Sequence, residues 1–356
     1  MMEITIKSEA KVICGNKDGL HRYFAWPSVA RLQDHSLAMV ASGFRIAHIC
    51  PFGKVVLCRS YDEGKSWSAP EVIMDTLLDD RDAGICTFGK SGVMVTSFNN
   101  TVDFQRKYGV QNPYTKAYLD LAEQKADHEK YLGSTYTVSH DGGKTFGDIG
   151  TLPVSSPHGP CVLNDGSILY VGRIYDGKND SESDHIRCCR ITPDGKAEYI
   201  SKIADVEGLL SCEPDALQLP DGKIIVHIRV ERQGYFTTYQ SESYDNAKNW
   251  TKPHRLLDIG GGAPSHLLLH SSGTLIAAYG YRQKPYGIRV MFSHDGGESW
   301  ETDHVLYDAE PTGDTGYPCS VELNDGSILT VFYGRENNDT PGELPCSGIK
   351  QIIWGF

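Results

Sequence analysis

Three residues of this sequence have types and spacing suited to covalent chemistry. GYPCSVELNDGSIL (316–329) opens on Tyr317 at the head of an alternating apolar and polar stretch that runs into an Asn-Asp-Gly turn. A phenol has a pKa near 10 and is a weak nucleophile unless a neighbouring base takes its proton, so a chemically active tyrosine needs a carboxylate beside it. In CEPDALQLPDGKIIVHIR (212–229), Glu213 and Arg229 precede and follow a Pro-Asp-Gly turn by nearly equal lengths, which sets them side by side on one hairpin. That pair reads either as a structural ion pair at a strand end or as part of a site.

The hairpin is one of six. WPSVARLQDHSLAMV (26–40), AGICTFGKSGVMVTS (83–97), PHGPCVLNDGSILYV (157–171), EPDALQLPDGKIIVHI (213–228), PSHLLLHSSGTLIAAY (264–279) and YPCSVELNDGSILTVF (317–332) each read as two strands about a tight turn. Their turns fall at His35, Gly92, Gly166, Gly222, Gly273 and Gly326, about fifty residues apart except for one longer interval. A second signature follows most hairpins: SYDEGKSW (60–67), SHDGGKTF (139–146), SYDNAKNW (243–250) and SHDGGESW (293–300). This is the Asp-box pattern, in which the aspartate accepts backbone N–H bonds, a small residue permits the bend and an aromatic packs between sheets. It has too few carboxylates for a calcium loop.

A repeat of this length with two hairpin strands per copy predicts an all-β chain: a six-bladed β-propeller of four-stranded antiparallel blades, a single domain over 1–356. EAKVICG (9–15) is expected to complete the last blade, so that the N-terminal strand closes the ring. The long interval holds NPYTKAYLDLAEQKADHEKYLG (112–133), whose apolar spacing and closing Gly133 predict an amphipathic helix within an insertion of blade two at about 101–133, either a wall over one face or a surface decoration.

Equivalent positions in a propeller converge on one rim. Trp26, Ala83, Pro157, Glu213, Pro264 and Tyr317 stand eight places before the first turn residue; Ser42, Asn99, Arg173, Arg229, Gly280 and Tyr333 stand at the return of the second strand. Arg45, His48, Asp80, Arg81, Asp82, His158, His266 and Arg282 are close neighbours. Arginines, carboxylates, histidines and a tyrosine converging on one rim point to an anionic, hydroxylated ligand.

At these residues the chain resembles the sialidase superfamily of six-bladed propellers, over essentially its whole length. The resemblance implies that Glu213 polarises a nucleophilic tyrosine, which falls on Tyr317, and that Arg229 and Arg282, with Arg289 as the alternative to the latter, bind a substrate carboxylate. A tyrosine suits an anionic sugar because a neutral nucleophile avoids the repulsion that a carboxylate would meet. Three departures stand out: FAWP places Ala25 where the first arginine of the triad belongs, Gly334 stands where its supporting glutamate belongs, and the acid/base aspartate is replaced by His48 in GFRIAHICPFGK. Arg81 is then expected to bind an anion, and Asp82 or His158 to handle a proton. Arg45, His266, Arg173 and Trp26 complete the expected substrate-binding set.

Three functions fit these residues. The first is an exo-glycoside hydrolase that releases a terminal, acidic sugar from an oligosaccharide, with Tyr317 and Glu213 as the nucleophile pair and His48 or Asp82 as the proton donor. The second is a uronate-specific lyase, in which an arginine neutralises the carboxylate, a histidine removes the C–H proton and Tyr317 protonates the leaving oxygen. The third is a non-catalytic propeller that binds glycans. A net charge of −12 argues against nucleic acid or an anionic membrane as partner. Ten cysteines without a CxxC pair suggest buried reduced thiols rather than zinc ligands, no cofactor motif is present, and MMEITIKSEAKVI lacks the pattern of a secretory leader, so a cytoplasmic location is expected.

Overall fold

The computed structural model describes residues 2–174, 186–337, 340 and 342–356. The chain is an all-β propeller. Its innermost strands, Tyr23–Arg31, Arg81–Phe88, Cys161–Val162, Leu210–Gln218, Ser265–Leu269 and Gly316–Glu322, each touch the next, and the last touches the first.

Six equal four-stranded blades do not form. Hydrogen bonding divides the described strands into four separate blade sheets, three of four strands and one of five, and a single eight-stranded sheet. The eight-stranded sheet arises because Ser347–Gly355 pairs with Ile328–Arg335 on one side and meets Tyr23–Arg31 through a parallel bridge between Ser347 and Tyr23. Ser347 Oγ reinforces the junction, accepting from Phe24 N–H (3.2 Å) and donating to the Phe24 carbonyl (2.8 Å). Thr5–Cys14 pairs antiparallel with the same Ser347–Gly355 strand. The fifth strand of the other sheet comes from a break: Val154–Ser155 and Cys161–Val162 both pair with Ile168–Ile174, and the interruption contains Pro157, Gly159 and Pro160. Proline supplies no ladder donor, and Gly159 takes φ +84° where it passes Gly84.

Alternation along the strands builds the core. Val40, Val55 and Leu57 of one sheet face Ala83, Ile85, Val93 and Val95 of the next, all nearly or wholly buried. Three of the four Asp-boxes tie neighbouring sheets together, and the first, through Trp67, braces the eight-stranded sheet internally. Asp62 Oδ1 accepts from Ser66 N–H (2.9 Å) and Oδ2 from Ser66 Oγ (2.5 Å), and Asp141, Asp245 and Asp295 repeat the pattern. The closing indoles of Trp67, Trp250 and Trp300 then donate to Gln351, Ser201 and Gln240.

The insertion holds two short helices rather than one long one. α1 spans Val102–Tyr108, capped by Thr101, and α2 spans Pro113–Glu123, with a capping box made by Asn112 and Thr115. α2 stops ten residues before Gly133, and its buried positions are Thr115, Leu119 and Ala122, while Leu121 faces solvent. Leu78, Val102 and Leu119 form the small core beneath both helices.

Candidate active site

Four inner strands carry the same irregularity. Trp26 (φ 55°), Asp82 (φ 46°), Glu213 (φ 46°) and Tyr317 (φ 50°) all adopt the left-handed conformation, and at each the pairing with the second strand of its hairpin skips. These are β-bulges, which re-aim a side chain at a sheet end, and each non-glycine residue so placed costs on the order of 1–3 kcal/mol. Ala83, the expected member of this set, gives way to Asp82. In its hairpin Phe88 pairs directly with Gly92, whereas Gln218 pairs with Ile224, so that turn is two residues shorter.

The bulges bring Tyr317 and Glu213 into contact across the ring. Tyr317 Oη donates to Glu213 Oε1 at 2.7 Å. Arg229 Nη1 donates to Glu213 Oε2 (2.6 Å) and to Tyr317 Oη (3.0 Å), while Nη2 donates to Glu231 (2.9 Å) and the guanidinium lies 4.1 Å over the Phe236 ring. Burial pushes the Tyr317 phenol well above its ordinary pKa, the Glu213 charge pushes it further and Arg229 opposes both. The resting site therefore holds a phenol that donates to a carboxylate, with a cation against its oxygen.

Beside this trio is a cavity of about 260 Å³, lined among others by Arg81, Asp82, Arg173, Glu213, Arg229 and Glu231. Phe104 of α1 and Asn100 also line it, so the insertion forms part of its wall. Burial raises the Asp82 pKa to about 7, against the charge of Arg81, and its Oδ1 has no hydrogen-bond partner among the described residues. A carboxyl whose folded pKa lies above its unfolded value binds an extra proton in the folded state between the two, so its contribution to stability falls as pH rises from about 4 to about 7. Asp82→Asn should therefore match the wild type in thermal midpoint near pH 4 and exceed it above pH 7; a gap independent of pH would contradict this.

A second cluster adjoins the first through Trp26, whose indole meets the rings of His48 (5.0 Å), Tyr333 (6.0 Å) and Tyr317 (6.4 Å). Tyr23 Oη (3.0 Å) and Tyr333 Oη (2.9 Å) both donate to Asp314. With its proton committed to Asp314, Tyr23 Oη accepts from His48 Nδ1 at 3.0 Å, which leaves Nε2 as the free lone pair of a half-exposed ring. Burial works against the Asp314 carboxylate, but hydrogen bonds from His48 and Tyr333, with the charges of His48 and Arg282, hold its pKa well below the usual range. Arg282 donates through Nε to the Thr315 carbonyl (2.9 Å) and through Nη2 to Tyr333 Oη (3.2 Å).

Not every residue expected at the rim reaches it. Arg45 is fully buried, its guanidinium clamped by Asp79 Oδ1 (2.5 Å) and Oδ2 (2.9 Å), and its remaining reach is spent on the His48 carbonyl (2.8 Å). It is a structural residue, not a ligand for substrate. His158 and His266 meet edge to face at 5.2 Å and do not line the cavity. Burial drives the His158 pKa to about 3, which removes it from proton transfer near neutrality. Arg289 turns to Asp303 (3.2 Å) on the outer strand of its sheet. Tyr23, Asp79, Glu231, Phe236 and Asp314 were not expected at the site. Apart from Glu231, two residues beyond Arg229, they carry no repeat signal, because they enter from loops or strand ends. Where Gly334 replaces the expected glutamate, a side chain would collide with the Glu310 carboxylate, which instead accepts from Lys350 (2.7 Å) and Arg335 N–H (3.1 Å).

The propeller, with its Asp-boxes and its tyrosine–glutamate–arginine rim, has the fold of solved sialidases. The chain belongs to the BNR repeat-like domain family, which it matches over residues 123–330. Similar solved structures include a protein of unknown function from Dyadobacter fermentans (TM-score 0.78, 19% identity, 99% of each chain). The intramolecular trans-sialidase of Ruminococcus gnavus, in complex with oseltamivir carboxylate, gives 0.68 at 14% identity over 98% of this chain and 97% of that one. The NanB sialidase of Streptococcus pneumoniae gives 0.66 at 12% identity over 96% and 70%. At these identities the likeness is one of fold. No curated protein matches the sequence.

Proposed function

We propose that the protein is an exo-acting glycoside hydrolase that releases a terminal sugar from an oligosaccharide. The observation that carries this reading is the 2.7 Å hydrogen bond from Tyr317 Oη to Glu213, with Arg229 against both. Simple binding does not call for a base beside a phenol in two strained backbone positions. The sialidases among its fold relatives support a sugar as ligand.

Glu213 takes the phenol proton as Tyr317 Oη bonds to the anomeric carbon and the bond to the leaving oxygen breaks. Arg229 stabilises the charge on Oη as its proton leaves and again as the sugar departs. The leaving oxygen needs a proton, and His48, once it has taken a proton from solvent at Nε2, is the better donor: an acid/base must exchange with solvent in every cycle, and the His48 side chain is 46% exposed whereas Asp82 is 4% exposed. Burial of the ring pulls the His48 pKa down, and Asp314 pulls it part of the way back up. His48 then accepts a proton from the water that attacks the same carbon. Release of the sugar returns the Glu213 proton to Tyr317. Asp82, buried in the cavity wall with its pKa raised to about 7, is left to hydrogen-bond substrate hydroxyls.

Turnover of a broad panel of aryl glycosides and oligosaccharides in ¹⁸O-labelled water tests this reading. The expected product carries one ¹⁸O at the anomeric position. An unsaturated product that absorbs in the ultraviolet and lacks the label would replace the hydrolase by a lyase. Glycan binding with no product across the panel would replace it by a binding protein.

A further inference from the structure

We infer that the sugar held beside Arg229 is uncharged, and that Glu231 is the residue that excludes a carboxylate from this position. The inference rests on the hydrolase reading for its location and on the filling of the arginine forks for its content.

An arginine recognises a carboxylate by offering two parallel N–H donors from an open fork. At Arg229 both terminal nitrogens are engaged, Nη1 by Glu213 (2.6 Å) and Tyr317 Oη (3.0 Å), Nη2 by Glu231 (2.9 Å), and the one nitrogen without a partner among the described residues, Nε, is buried beside the Glu231 contact. Two carboxylates already neutralise this one cation, and Phe236 covers a face of the guanidinium. Arg282 is engaged at two of its three nitrogens, Nε on a backbone carbonyl and Nη2 on Tyr333 Oη, which itself serves Asp314, so that no two adjacent nitrogens are left for a carboxylate. Arg81 lies 4.4 Å over the Trp26 indole and donates to the His48 carbonyl (2.9 Å). Where the first strand might have supplied another cation, it presents Ala25 and the Trp26 indole.

A ligand carboxylate that reached Arg229 would have to displace Glu231 or stand against both Glu231 and Glu213, and like charges at such range repel strongly in a partly buried site. An uncharged ring meets the opposite situation. Glu213 and Glu231 are acceptors for its hydroxyl protons. Glu231 is 28% exposed at the cavity edge, placed to be met first by whatever enters. The same argument weighs against a uronate lyase, whose mechanism needs a neutralised substrate carboxylate.

The experiment is calorimetric titration of the full chain with N-acetylneuraminate and D-glucuronate, comparing wild type with Glu231→Gln. The substitution keeps the side chain's shape and removes its charge. The expected result is no measurable binding of either acid by the wild type at millimolar concentration, and a gain of at least tenfold in Glu231→Gln. Binding of either acid by the wild type below about 0.1 mM, roughly −5 to −6 kcal/mol, overturns the inference. So does a Glu231→Gln variant that retains the native thermal midpoint and binds neither acid better. Failure of the hydrolase reading would show separately, as absence of ¹⁸O-labelled product from neutral and acidic glycosides alike.

Discussion

Tyr317→Phe should lower turnover by on the order of a thousandfold or more while substrate binding changes little. The substitution removes one oxygen and nothing else from a ring that is packed against Trp26 and Tyr333. Glu213 does not become an unpaired buried charge, because Arg229 still holds it at 2.6 Å. The fold therefore has no reason to weaken, and the thermal midpoint should stay within a few degrees of wild type. What disappears is the only atom that attacks. Single-turnover kinetics with an aryl glycoside on which the wild type is active separate the two effects: a collapse of kcat with an unchanged dissociation constant is the expected pattern. Activity within tenfold of wild type would remove Tyr317 from the chemistry and leave the Glu213–Arg229 pair as a strand-end ion pair.

The largest expected effect on stability lies at Asp79. Its carboxylate, fully buried, accepts two bonds from Arg45, one from Gln105 Nε2 of α1 (3.0 Å) and one from the Cys50 N–H (3.3 Å), and Arg81 lies 3.7 Å away. Asp79→Ala strands the Arg45 cation with no route to water, and breaking a buried pair in this way costs about 3–5 kcal/mol. Chemical denaturation should show that loss directly. Activity should fall as well, since Arg45 and Arg81 both hold the His48 carbonyl. Replacing both partners with apolar residues, Arg45→Met with Asp79→Leu, should recover most of the stability; a double variant as unstable as Asp79→Ala would show that the pair contributes by itself rather than by avoiding a stranded charge.

The sequence was legible wherever the repeat wrote it. Turn spacing alone located the inner strands and selected Trp26, Glu213 and Tyr317 as equivalent, because hairpins of equal length return side chains to equal places. It missed Asp82 by one residue, since one hairpin is two residues shorter and the bulge moves with the turn. It misjudged the sheets because Ser347, whose hydrogen bonds merge the first and last hairpins, lies outside the repeat. The start of α2 was written in Asn112 and Pro113, but its end was overestimated, because the pattern through Lys125 and Glu129 continues after the helix has stopped. Arg45 was mistaken for a ligand because its partner Asp79 is 34 residues away, and Asp314 was missed because it meets Tyr23 across 291. No local pattern encodes either contact.

The eight-stranded sheet also has a consequence for synthesis. Each of the four separate blade sheets is built from one continuous stretch of chain and can form as soon as that stretch has left the ribosome. The eight-stranded sheet cannot: Thr5–Cys14 and Tyr23–Arg31, made among the first, wait for Ser347–Gly355, made after almost everything else. During elongation the Thr5–Cys14 strand, which among the described residues pairs only with Ser347–Gly355, therefore presents unpaired edges, the kind that pair with other chains. Chains truncated before residue 347 should be the ones that chaperones hold and that aggregate, and a chain that includes the nine-residue strand Ser347–Gly355 should not.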